Sequence, residues 1–231
     1  MTPKLWQRAL CAATLAATMA APALAGPVDF EEAVAGSLYL PGDSHVQGGY
    51  TFTVRYGIGA IDTVAAFGAG SGLDLAPPRG NDSQFFIGLN DAVLNMRASN
   101  GNVFRVVGFD FGFISALTQL FLPGESAGAL VAGYETASGD IDVMAWDFGA
   151  ADANGEFNFQ RLGRGDMGDL ALGVRQIDFF ACTYDGNGGC LQQSGNFSQF
   201  AIDNFVPEPG SLAMVLLALG AVGGLRARRA K

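Results

Sequence analysis

The glycines decide what the middle of this chain can fold into. There are 33 of them in 231 residues, and most fall in the central part, where they cut it into short runs. Glycine weakens a helix interior by about 1 kcal/mol relative to alanine, so long helices are disfavoured here. Between the glycines the runs alternate. Thr51-Phe-Thr-Val-Arg-Tyr56 puts Phe52, Val54 and Tyr56 on one face and Thr51, Thr53 and Arg55 on the other, the period-two signature of a half-buried strand. Phe109, Phe111 and Phe113 alternate with Asp110 and Gly112. Val103–Val107, Ala116–Leu122, Ala129–Tyr134, Ile141–Trp146, Glu156–Arg161, Val174–Phe180 and Phe197–Phe205 complete the set. Pro123-Gly124, Ser138-Gly139, Asn154-Gly155 and Asp185-Gly186 supply turns between them. Many short strands with frequent turns predict an all-β fold, an antiparallel β-sandwich. Glu156–Arg161 reads as the return arm of a hairpin turned at Asn154-Gly155. One short helix is expected within Gln84–Arg97, and a long loop over Gly68–Asp82. No internal repeat is visible, which argues against a propeller or solenoid.

The two ends differ from this body. Lys4 and Arg8 precede an Ala/Leu-rich apolar run from Ala9 to Met19, and Ala23-Leu24-Ala25 closes it. A basic start, an apolar stretch and an A-x-A site are the parts of a signal peptide, with cleavage by signal peptidase after Ala25. At the other end, Pro207-Glu208-Pro209 is followed by an apolar stretch, Ser211–Leu225, and by Arg226, Arg228, Arg229 and Lys231. At 1.5 Å per residue that stretch reaches only about 22 Å as a helix, short of a comfortable membrane span. The basic cluster would stay on the cytoplasmic side. Pro207 and Pro209 are expected to keep the segment extended and open to a protease or transpeptidase. The expected organisation is a signal peptide at 1–25, a β-domain at 26–205 and a short C-terminal transmembrane segment with its sorting sequence at 206–231.

The order Pro-Glu-Pro, short apolar helix, Arg cluster resembles the PEP-CTERM sorting signal, which is read by exosortases in Gram-negative bacteria that make exopolysaccharide. The resemblance covers 206–231. It implies export, processing near Pro207-Glu208-Pro209 by an exosortase-type transpeptidase, and placement at the cell surface or in the exopolysaccharide biofilm matrix. It implies no activity for the body. The same kind of segment is also labelled an ice-binding-protein C-terminal domain. The body's edges carry a second resemblance. It opens on Val28-Asp-Phe-Glu-Glu32 and closes on Gln199-Phe-Ala-Ile-Asp-Asn-Phe205, similar to PEP-CTERM bodies with a Gln-Phe-x-x-Asp motif, here Gln199, Phe200 and Asp203. The pattern is also similar to jelly-roll carbohydrate-binding domains, in which the first and last strands run side by side.

Charge narrows the function classes. Six of the 13 Lys and Arg lie in the signal peptide and in the tail after Pro209, which leaves seven arginines against 22 Asp and Glu, a balance of −15 from Gly26 to Glu208. Such a surface repels phosphate backbones, so nucleic acid is not an expected partner. Cys182 and Cys190 enclose a turn-forming run, and an even pair in an exported chain predicts a disulfide. Without a histidine nearby, two thiolates do not complete a zinc site.

No catalytic set is expected. His45 is the body's only histidine and sits beside Ser44 in a polar loop; no G-x-S-x-G or H-E-x-x-H occurs. No cofactor is required, but oxygen-rich loops suit calcium. Glu31 or Glu32 would meet Asp203 if the end strands pair as in jelly rolls, and carboxylates brought together there would accept a structural Ca2+. Asp152-Ala-Asn154-Gly-Glu156 has alternating oxygens but lacks the Gly and Glu of an EF-hand loop, and reads as a turn. For a sugar ligand the candidate rings are Trp146 and Tyr184, with Tyr134 and Tyr56 behind them. Met144 and Phe148 share the face of Trp146, which favours a core position for it. Three readings of the body follow: a non-catalytic surface or matrix protein, a module that binds extracellular polysaccharide, and an ice- or surface-adhesive protein. For the last, no Thr-x-Thr ladder extends beyond Thr51 and Thr53.

Overall fold

The computed structural model describes residues 27–66, 75–116, 121–185, 189–191 and 198–209. The expected signal-peptide site (Ala23, Ala25), the apolar stretch and Arg226, Arg228 and Arg229 lie outside the described residues. Among the described residues no helix is long and apolar enough to cross a membrane.

In chain order the first strands are β1 (Ser37–Tyr39), β2 (Ser44–Gln47), β3 (Tyr50–Asp62), β4 (Leu75–Ala76), β5 (Phe85–Ala98), β6 (Phe104–Val106), β7 (Phe109–Phe113) and β8 (Ser115–Ala116). They continue as β9 (Gly128–Thr136), β10 (Ile141–Asp147), β11 (Gln160–Leu162), β12 (Val174–Tyr184), β13 (Cys190–Leu191), β14 (Phe200–Asp203) and β15 (Pro207–Pro209). Among the described residues all paired strands are antiparallel, and the only helical elements are short 3-10 turns.

The fold turns on β3 and β5, which pair along their length. The other edge of β5 is shared: Phe86–Gly88 pairs with β14, and Val93–Arg97 pairs with β12. One continuous sheet therefore curls into two layers. The first runs β2-β3-β5-β12-β9-β10, and the second runs β1-β3-β5-β14-β7-β11. The bend falls where the β3–β5 register breaks around Tyr56 and where Asn90 and Asp91 both adopt φ 57°. Gly57 sits opposite at φ +69°. A Cβ there would lie 2.6 Å from Ala92 Cα and 2.6 Å from the Leu89 carbonyl oxygen, so only glycine lets the strands cross this closely.

Aromatic rings fill the space between the layers. Phe109 of β7 meets Phe179 of β12 at 5.5 Å, Trp146 of β10 at 5.3 Å and Phe205 at 5.0 Å between centroids. Phe52, Phe111, Phe113 and Phe148 extend the same core. The alternation of Phe109, Phe111 and Phe113 thus faces inward as expected. Val28 and Phe205 exchange backbone hydrogen bonds of 2.9 Å each, so the first and last segments of the domain do lie side by side.

Two expectations are corrected. Gln84–Arg97 is not helical; it is β5, the strand both layers share. The run Phe85-Phe-Ile-Gly-Leu89 shows no alternation because both faces are covered. Phe86 faces the main core, while Phe85, Ile87 and Leu89 face a second cluster with Leu75, Ile114 and Ala201. A strand buried on both sides reads as a continuous apolar stretch. Glu156–Arg161 is also not a hairpin arm. Asp152 Oδ1 accepts the amides of Asn154 (2.7 Å) and Glu156 (3.0 Å), which closes a local turn and holds this carboxyl below its ordinary pKa. The chain then leaves to pair as β11 with β7.

Candidate functional site

The outward face of the first layer carries the site. Directly opposed residues of an antiparallel pair share a face, so the register lays out rows across it. One row is Val46, Thr51, Arg97, Gln176, Glu135 and Ile141. The next is Ser44, Thr53, Asn95, Asp178, Gly133 and Val143. A third, Tyr56, Val93, Phe180, Val131 and Ala145, is apolar. Thr51, Thr53, Arg55, Asn95, Arg97 and Ser99, with Ala98 and Gly101, line an open groove of 460 Å³ over the polar rows.

The groove floor is a linked network. Arg55 donates to Asp178 Oδ2 and to Gln176 Oε1, each at 3.1 Å. Arg97 donates to the same Gln176 Oε1. Asn95, buried beneath, donates to Asp178 Oδ1 at 2.7 Å, and Gln176 Nε2 donates to Glu135 at 3.0 Å. The hydroxyls of Thr51 and Ser99 are 2.9 Å apart, and those of Ser44 and Thr53 are 2.8 Å apart. Tyr56, half exposed at the end of the apolar row, is next to Arg55 in the chain. Fixed polar groups beside a ring and an apolar strip can hold a polyhydroxylated ligand by both its hydroxyls and its C–H faces. Only Thr51, Thr53, Arg55 and Tyr56 stood out in the sequence. Nothing in the order of residues places Gln176 and Asp178 against Arg97 and Asn95; the β5–β12 pairing does that.

The sequence-selected rings lie elsewhere. Trp146 packs edge-on against Phe109 and donates its indole N–H to the Asp166 carbonyl at 3.1 Å, so it belongs to the core. Tyr184 is partly exposed and donates to Asp147 at 3.1 Å; partial burial, then this bond, raises its pKa. Six residues along β12 separate it from Asp178, about 20 Å. Tyr134 is buried. Cys182 and Cys190 form a disulfide, with Cα atoms 5.4 Å apart.

The terminal carboxylates are engaged by protein donors. Glu31 Oε1 accepts the Gln84 amide at 2.7 Å, and Glu32 is exposed. Asp203 is fully buried, and its Oδ2 accepts from Asn81 (2.6 Å) and Ser83 (2.8 Å). Both ends thus hold the segment Asn81–Gln84 through N–H and O–H donors, which compete with a cation for the same lone pairs. Among the described residues no three His, Cys, Asp or Glu gather into a metal site. Desolvation pushes the Asp203 pKa up to about 6, and its cross-strand neighbour Asp110 adds to the rise. Asp110 itself is held by a two-pronged contact from Arg161, at 2.8 and 2.9 Å. His45 faces Tyr39 and Gln47, each at 3.4 Å, while Ser44 bonds Thr53; this is not a nucleophile–base arrangement.

Pro207-Glu208-Pro209 is extended, as expected, but not open. It pairs with β6 as β15, Pro207 is buried, and Glu208 lies 3.5 Å from Arg164. Val206 donates to Gly108 at 2.9 Å and Val107 donates to Val206 at 3.0 Å. Proline lacks a donor but tolerates an edge position, which is where the short β6 offers its free side.

The chain is thus an all-β, antiparallel two-layer domain with a polar groove on one face and a strand-docked C-terminal segment. Residues 205–229 match the family described as the PEP-CTERM protein-sorting motif, so the chain carries that motif, which implies export to the cell envelope or surface. No curated protein matches the chain. Among solved structures, it is similar to the C-terminal family 22 carbohydrate-binding module of Clostridium thermocellum Xyn10B. The two are 10% identical, with a TM-score of 0.33, over 81% of this chain and 95% of that one.

Proposed function

We propose that this is an exported, exosortase-sorted protein of the cell surface or exopolysaccharide matrix, whose β-domain is non-catalytic. The observation that carries the reading is the sorting motif at 205–229. The Cys182–Cys190 disulfide supports it, because such bonds persist in oxidising compartments. Signal peptidase and an exosortase-type transpeptidase are the processing partners. Replacing Pro207, Glu208 and Pro209 with alanine in the native host tests this. The variant should accumulate in the inner envelope in an unprocessed form. Normal surface delivery of the variant would sink the reading.

A second reading concerns what the displayed domain does: it binds extracellular polysaccharide through the groove on the first layer. The hydroxyls, amides and guanidinium groups beside the Tyr56 row favour it over Trp146 or Tyr184 as the contact surface. Retention of the mature protein on native exopolysaccharide, against a charge-matched inert polymer, tests this. Equal retention on both would remove it.

A further inference from the structure

We propose that the groove takes an acidic sugar unit of a polysaccharide, its carboxylate gripped by Arg97 with Arg55 alongside. The proposal rests on the polysaccharide-binding reading and names the ligand class.

Charge pairing points to Arg97. The body has seven arginines among 22 acids. Five of them, Arg55, Arg79, Arg161, Arg164 and Arg175, have a carboxylate within 4 Å. Arg105 instead donates to the Leu172 carbonyl at 3.1 Å. Arg97 makes no ion pair among the described residues; its cross-strand neighbours are the uncharged Thr51 and Gln176. Its hydrogen-bond acceptor is Gln176 Oε1, a neutral oxygen that already accepts from Arg55. Two guanidinium groups therefore converge on one uncharged atom. Asp178 balances one of them and is further occupied by Asn95. Glu135 faces Gln176 and Arg175. One positive charge is left over in the groove.

A carboxylate fits that surplus. A guanidinium presents five N–H donors in a planar fork, and it binds a carboxylate by two parallel bonds. Thr51 stands directly across from Arg97 on β3, and Ser99 follows two residues on. Their hydroxyls bond each other, and each retains capacity for a sugar hydroxyl. A Cβ on Gly101 would meet nothing within 4 Å, so the groove is open at that end. The Tyr56–Val93–Phe180 row lies four residues along β5 from Arg97, about 13 Å, and offers an apolar strip to the next sugar of the polymer rather than to the one held by Arg97. A nucleic acid is a poorer occupant, since its closely spaced phosphates would face the body's net −15. One carboxylate per sugar spreads that repulsion.

The test uses the mature exported protein in affinity electrophoresis and titration with polygalacturonate, alginate and neutral dextran. Wild type should bind the acidic polymers, more weakly as salt rises. Arg97→Gln should lose at least about tenfold, the scale of one charge-assisted pair. Arg97→Lys should fall between them, because lysine keeps the charge without the fork. Arg105→Gln removes an equal charge outside the groove and should bind as wild type. Equal loss in Arg105→Gln would show a general charge effect and overturn the proposal. Binding to dextran alone, untouched by Arg97→Gln, would also overturn it while leaving the polysaccharide reading intact. Failure to bind either acidic polymer would likewise overturn the proposal, while the polysaccharide reading stands or falls on retention by native exopolysaccharide.

Discussion

Asp203 should make the domain more stable in mild acid, and Asp203→Asn should abolish that gain. The side chain is fully buried on β14, beneath the segment that carries Asn81 and Ser83. Among the described residues its Oδ1 is buried without a hydrogen-bond partner, and Asp110 stands across from it. Both disfavour the charged form, chiefly through desolvation, and the pKa rises to about 6. An unfolded chain would titrate near ~3.9. The folded state therefore binds the extra proton between these values. Its contribution is fully present below the unfolded pKa and is lost as pH climbs through about 6. At ~1.4 kcal/mol per unit, moving from pH 8 to pH 5 should add about 1.4 kcal/mol to stability, or roughly 4 °C in Tm. Other carboxylates titrate over the same range, so the difference between wild type and Asp203→Asn is the quantity to read. Asparagine keeps an oxygen that can accept from Asn81 and Ser83. Urea unfolding at both pH values measures the difference. A variant with the same pH response as wild type would refute the reasoning, as would a wild type that weakens at pH 5.

Four further outcomes are expected. Cys182→Ser should cost about 2–3 kcal/mol in non-reducing urea melts and make the protein insensitive to dithiothreitol, because the bridge closes only a short loop. Gly57→Ala should cost about 3 kcal/mol or more, since a Cβ meets backbone atoms at 2.6 Å where β3 and β5 bend; thermal unfolding measures it. Amide exchange should find Val107 and Val206 protected, because they bond across the β6–β15 edge. Glu208→Ala should shift stability by only about 0.5 kcal/mol or less, as expected for an ion pair whose Arg164 partner is solvent-exposed.

Period-two alternation exposed the inward Phe109, Phe111 and Phe113 and the inward Phe52 and Val54, because each lies in a strand with one wet face or a repeated core face; Tyr56, expected on the face of Phe52 and Val54, is instead half exposed on the outer face, because the β3–β5 register breaks between Val54 and Tyr56. It failed at Phe85–Leu89, where a second apolar cluster covers the other side and erases the pattern. The candidate site was legible only in its β3 half. Its other half, Asn95, Arg97, Gln176 and Asp178, comes together through pairing between β5 and β12, some 80 residues apart, and local sequence carries no register information over that span. Trp146 and Tyr184 drew notice as rings, but one fills the core and the other caps the disulfide end. The sorting segment was readable from its order alone. Its docking on β6 was not, since only the folded edge reveals a vacancy for Pro207.

Mass determination of both termini, on protein taken from the envelope and the medium, bears most directly on the export and sorting claim. A species that begins at Gly26 and ends near Pro207-Glu208-Pro209, without Arg226–Lys231, is the expected result. A folded cytosolic chain that still carries Met1 and Lys231 would contradict it.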